Sequence, residues 1–149
     1  MAQLTRSLRS FALAATFVGA SVFVGPDLAR ADESPVGVWK TIDDETGEAK
    51  SLVKIYEREG VLYGKVQKLF KNPDATCEAC EGDDYGKPIV GMTILWGLEQ
   101  DDDEWSGGKI FDPKKGKTYN CKLWIDDGDL KVRGYVGPFH RTQTWHRVN

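Results

Sequence analysis

Lys117-Thr118-Tyr119-Asn120-Cys121-Lys122-Leu123-Trp124-Ile125-Asp126 runs into Asp127-Gly128-Asp129 and on through Leu130-Lys131-Val132-Arg133-Gly134-Tyr135-Val136. In the first arm Tyr119, Cys121, Leu123 and Ile125 share one face, and Thr118, Asn120, Lys122 and Trp124 share the other. Strict period two marks a half-buried strand, because successive side chains of extended backbone point to opposite sides. Asp-Gly is a favoured two-residue hairpin connection. In the second arm Leu130, Val132, Gly134 and Val136 face one way, while Lys131, Arg133 and Tyr135 face the other. The stretch is a β-hairpin, and it is the template for reading the chain on both sides of it.

Working outward, residues 105–111 form a short strand stopped by Asp112-Pro113, and Lys114 to Gly116 turn the chain. Residues 89–98 are continuously apolar, as a doubly covered strand or a short helix would be, and an acidic turn over 100–104 follows. Residues 51–57 and 61–70 flank Glu59-Gly60 as another hairpin. Gly37–Ile42 is a first strand with a turn cluster at Asp43-Asp44-Glu45-Thr46-Gly47. Gly137-Pro138 breaks the chain before a last strand over 141–148. About eight strands in hairpin succession, with no long helix, predict an all-β, up-and-down antiparallel barrel. Closing the sheet removes exposed edges. Eight strands enclose an interior that side chains just fill or that holds one small ligand.

Residues 1–31 read as an address. Arg6 and Arg9 precede an apolar run over 11–25 ended by Pro26, and Ala29-Arg30-Ala31 has the small-x-small form that signal peptidase accepts. The run falls short of the ~20 residues a membrane-spanning helix needs. A cleaved signal peptide is expected, leaving residues 32–149 as a single barrel domain, periplasmic or secreted, with no transmembrane segment. The chain has 149 residues with 20 basic and 23 acidic side chains, a net charge of −3 that cleavage would take to −5. That balance argues against a nucleic-acid partner, which selects a basic excess. All five tryptophans fall in the expected mature part, pointing to a well-filled core, a binding surface, or both.

Gly37-Val38-Trp39 at the first strand, with Arg141 and Arg147 flanking Trp145 in the last, resembles the lipocalin and wider calycin barrels. The resemblance implies a structural plug of Gly37, Trp39, Trp145 and Arg147: a close approach at the glycine, an indole closing one end, and a cation stacked on its ring. A further set of strings covers nearly the whole mature chain. It comprises Pro88-Ile89-Val90-Gly91-Met92, Gly107-Gly108-Lys109-Ile110-Phe111-Asp112-Pro113, Gly116-Lys117-Thr118-Tyr119-Asn120-Cys121, Leu130-Lys131-Val132-Arg133-Gly134-Tyr135 and Trp145-His146-Arg147-Val148. These are similar to the exported bacterial family catalogued as domain of unknown function 2147. That resemblance implies an envelope protein with a lipocalin-like barrel and implies no established reaction.

The residues that carry chemistry are few. Cys77 and Cys80, in a long irregular connection over 71–88, read as a local disulfide that pins the loop. The other reading is a redox dithiol, but Glu78, Glu81, Asp83 and Asp84 would raise a thiol pKa there, not lower it. A zinc site would need Cys121, His140 and His146 to complete it, without a second pair at ligand spacing. Cys121 lies on an apolar strand face and reads as a buried unpaired thiol. Asp101, Asp102, Asp103 and Glu104 lack the spacing of a calcium loop. No nucleophile elbow or phosphate loop occurs. No catalytic residue, metal or cofactor is therefore assigned.

The closing strand carries polar groups on both faces, and buried polar groups need partners. Trp96, Trp124, Arg133, Tyr135, Arg141 and Gln143 are the candidates for lining a ligand mouth. The expectation is a non-enzymatic periplasmic barrel that binds a small amphiphilic molecule or a cell-envelope component. The alternative is a structural or partner-binding envelope protein with a filled barrel.

Overall fold

The computed structural model describes residues 33–149. The expected signal peptide, residues 1–31, lies outside the described residues. The chain forms β1 (Gly37–Ile42), β2 (Ala49–Arg58), β3 (Val61–Leu69), β4 (Thr93–Asp101), β5 (Glu104–Asp112), β6 (Lys117–Asp126), β7 (Asp129–Val136) and β8 (Phe139–Val148). Each strand pairs antiparallel with the next, and β8 returns to β1 to close the barrel. The seam is short: Val38 opposes Val148, Trp39 opposes Arg147 and Lys40 opposes His146. The expected up-and-down barrel is the observed fold.

The β6–β7 hairpin folds as its alternation dictates. Asp127 and Gly128 form the turn at φ 53° and 79°. Two successive positive angles make a type I′ geometry, which matches the twist of the strands it joins. Leu123 pairs with Val132, and both are buried. One element differs from expectation. The strand predicted to begin at Ile89 begins at Thr93. Ile89 instead gives its N–H to the Ala75 carbonyl and receives the Met92 N–H, so residues 89–92 are a turn closing the long connection. An apolar run cannot by itself separate a strand from a buried turn. At the other end β4 and β5 continue through Asp101 and Glu104, leaving only two residues for the turn.

In an up-and-down barrel alternate turns lie at the same end. The β2–β3, β4–β5 and β6–β7 turns share one end with the segment before β1. The β1–β2, β3–β4, β5–β6 and β7–β8 connections share the other. Between them the interior is unequal. Trp39, Val53, Ile55, Leu62, Leu95, Leu98, Leu123 and Leu130 pack the first end with essentially no exposed surface.

Candidate functional site

At the packed end Trp39 is fully buried, and its Nε1–H donates to the Pro35 carbonyl at 2.7 Å. The Arg147 guanidinium lies 4.3 Å from the centre of the Trp39 ring. It also donates to the Ser34 carbonyl at 2.7 Å, so the segment before β1 is strapped across the barrel floor. Gly37 sits at φ 147°, and a Cβ there would lie 3.0 Å from the Arg147 guanidinium. A side chain at Gly37 would therefore push the cation off the indole. Gly37, Trp39 and Arg147 come together at this end of the barrel. Trp145 is buried one layer higher, with its Nε1–H on Gln143 Oε1 at 3.2 Å.

Above Trp145 the barrel is hollow. A cavity of about 790 Å³ opens toward the other end. That lies in the range of small-molecule sites. Val66, Ile94, Ile110, Val132 and Trp145 form much of its wall, and Gly134 widens it by presenting no side chain. Three of the polar side chains in the wall, Thr41, Ser51 and Gln143, are already matched. The Thr41 and Ser51 hydroxyls bond each other at 2.7 Å, and both residues are buried. Gln143 accepts from Trp145 and donates to the Asp44 carboxylate. A ligand body here meets hydrocarbon, these satisfied dipoles and the Tyr119 side chain.

Charge is confined to the rim. Lys50, Lys114, Lys115 and Arg141 line it, against Glu78 and Asp112. Arg141 pairs with Asp44 at 2.8 Å, and Lys114 reaches Glu45 at 3.7 Å. The β1–β2 loop is thereby tied both to β8 and to the β5–β6 turn. Asp43 shapes that loop by accepting the N–H groups of Glu45 and Thr46. Those bonds hold its carboxyl below the usual range, Thr46 contributing most, with Lys50 and Lys114 adding to them.

Cys77 and Cys80 are disulfide-bonded and buried. The four-residue ring they close forms part of the rim, because Glu78 and Ala79 line the cavity. It is docked on the β5–β6 turn: a Cβ on Gly116, which sits at φ 63°, would fall 2.0 Å from the Ala79 carbonyl oxygen. The loop is also hydrogen-bonded through Cys77 to Lys87 and Gly86. Cys121 is free and buried in the barrel wall, and burial pushes its thiol pKa up to about 12. That keeps it protonated and unreactive. Among the described residues no three His, Cys, Asp or Glu side chains converge as metal ligands.

Of the six residues expected at the mouth, Arg141 and Gln143 line the cavity. Trp96, Trp124, Arg133 and Tyr135 do not. Trp124 lies on the outer face, with the Arg133 guanidinium 4.7 Å and the Lys122 ammonium 5.6 Å from its ring centre. Tyr135 packs on His140, with ring centres 5.9 Å apart. Trp96 pairs across the ladder with Lys109, whose ammonium bonds Asn120 on that outer face. The correction follows from parity: with Leu130 and Val132 inside, Arg133 and Tyr135 must be outside. Tyr119, Ser51, Thr41 and Gly134 were missed, although each is an inward position on the Trp39-distal half of its strand.

An eight-stranded barrel, plugged at one end by an arginine-capped tryptophan and hollow at the other, is a lipocalin-like barrel. A solved structure of the Helicobacter pylori protein HP1028, described as belonging to the lipocalin family, has the same fold. The TM-score is 0.70 at 20% identity, over 78% of this chain and 84% of that one. The family model described as "Uncharacterized protein conserved in bacteria (DUF2147)" matches residues 37–147, and the chain belongs to that family. No curated protein matches the sequence.

Proposed function

We propose that this protein is a non-enzymatic periplasmic carrier or receptor that holds one small amphiphilic molecule in the upper half of the barrel. The observation that carries the reading is the unequal interior. A barrel built only as a structural element gains stability from filling both halves, since unfilled apolar volume forfeits packing energy. Here a floor of Trp145 separates a filled half from a cavity of about 790 Å³ that opens between polar loops. The periplasmic location is supported by the signal-like residues 1–31 and by a buried disulfide, which persists in oxidising compartments.

The test is titration of the purified protein with 1-aminoanthracene, an uncharged fluorophore that brightens in apolar surroundings. Saturable binding of one equivalent is expected. Gly134→Leu supplies the control. A Cβ there has nothing nearer than the Tyr119 Cβ at 3.6 Å, so the new side chain extends into the cavity without a backbone clash. The variant should keep its melting temperature and lose most of the fluorescence. Absence of saturable binding to the parent protein would return the barrel to the structural or partner-binding reading.

A further inference from the structure

The rim assigns a charge to the ligand. This step rests on the amphiphile reading above and names the head group. The chain as a whole is acidic, at net −3, yet the charged side chains that line the cavity are four cations and two anions. The anions are largely committed. Asp112 accepts the backbone N–H of Lys114 at 3.0 Å and that of Lys115 at 3.4 Å, which fixes its carboxylate within the turn. Arg141 and Lys114 are held by Asp44 and Glu45. Among the described residues, Lys50 and Lys115 make no ion pair. They stand on separate elements, one on β2 and one on the β5–β6 turn, and both line the same opening. Among the described residues Glu78 is the one lining acid without an ion-pair partner or a turn hydrogen bond to its carboxylate.

We propose that the cavity takes a single-chain amphiphile with an anionic head, a carboxylate or a phosphate monoester, held at the rim by Lys50 and Lys115 with its tail on the wall above Trp145. Depth separates the two halves of such a ligand. The inner wall offers no uncommitted cation, so a charge placed there would lose its hydration without gaining a partner. At the rim the head keeps water on one side and two ammonium groups on the other. Lysine suits this position, since a flexible ammonium follows a head group without demanding a bidentate geometry.

The experiment is calorimetric titration of the full protein with palmitate, hexadecyl phosphate, hexadecanol and hexadecyltrimethylammonium, each below its aggregation threshold. The carboxylate, the phosphate or both should bind about tenfold tighter than the alcohol, and the cationic chain most weakly. Which of the two anions is tighter identifies the head. The double variant Lys50→Gln, Lys115→Gln should bring the anions down to the affinity of the alcohol while leaving the alcohol unchanged. Both lysines are exposed, so the variant should fold, and an unaltered alcohol affinity verifies it. Equal binding of anion and alcohol, or preference for the cationic chain, overturns the head-group assignment and leaves the cavity reading standing. Failure of all four to bind overturns both.

Discussion

The two ends of this barrel are made by the same eight strands and treat a glycine differently. Near the closed end, a Cβ on Gly64 would meet the Leu95 Cβ at 3.0 Å and a Val53 methyl at 3.3 Å. Near the open end, a Cβ on Gly134 would meet nothing closer than 3.6 Å. In the first case the glycine exists because its neighbours occupy the space. In the second the space is left to the cavity. The closed end is a hydrophobic core with one cation laid over it, and its energy comes from burial. The open end is ringed by exposed ion pairs, and surface pairs contribute little. Stability is therefore concentrated away from the cavity, and the open half tolerates change better than the closed one.

The strongest way to break that contrast is at its centre of weight. Trp39 is completely buried, donates to Pro35 and supports Arg147. Trp39→Ala removes the ring and strips the guanidinium of its platform. A loss of about 3–5 kcal/mol in urea unfolding is expected, as for other large-to-small core changes. A loss below about 1 kcal/mol would mean that the floor is not where the energy lies.

Much of this division was legible in the sequence. Alternation through β6 and β7 gives the inward set, the Asp127-Gly128 turn gives the register, and Gly37-Val38-Trp39 marks the plugged end. Together they specify that inward residues far from Trp39 line any cavity. Arg133, Tyr135 and Trp124 were drawn into the mouth by their chemistry, against the parity of their own strands. Outward aromatics here serve a different purpose, as platforms for Lys122 and Arg133. Two things were not legible. Whether Trp145 ends the core or fills the barrel depends on the summed volumes of side chains from several strands. The docking of the Cys77–Cys80 ring on Gly116 joins segments far apart in the chain, and no local pattern announces it.

Cys121 sits between the two halves and gives a gentler probe. At neutral pH Cys121→Ala should cost about 1 kcal/mol, the price of a small cavity in a packed wall. The pH dependence sharpens the reading. Burial raises the folded-state thiol to about 12, above its unfolded value. The unfolded chain therefore ionises first as pH rises, so this group's stabilisation is complete below the ordinary thiol range. It is then lost as pH climbs toward about 12. Every other ionisable group is common to both proteins. The difference in melting temperature between parent and Cys121→Ala should thus shrink and then change sign as pH climbs, because a thiol raised to about 12 is linked to more than the ~1 kcal/mol lost on truncation. A difference independent of pH would place the thiol in contact with solvent.

The smallest effect belongs to the open rim, and β8 supplies its own control because Arg141 and Arg147 lie on the same inward face. Arg147 stacks on a buried indole and bonds the backbone of Ser34. Arg141 holds Asp44 at 2.8 Å with its side chain 61% exposed. Water screens that pair, and a long side chain loses rotamer freedom in making it. Arg141→Gln should therefore change unfolding free energy by about 0.5 kcal/mol or less. It also frees Asp44 from its cation while leaving the Gln143 amide to donate to it. Added salt should move the parent toward the variant, since it weakens an exposed pair and does nothing to a missing one. A loss comparable to a core substitution would show that the β1–β2 loop braces the barrel, and the division between a stabilising closed end and a hollow open end would have to be redrawn.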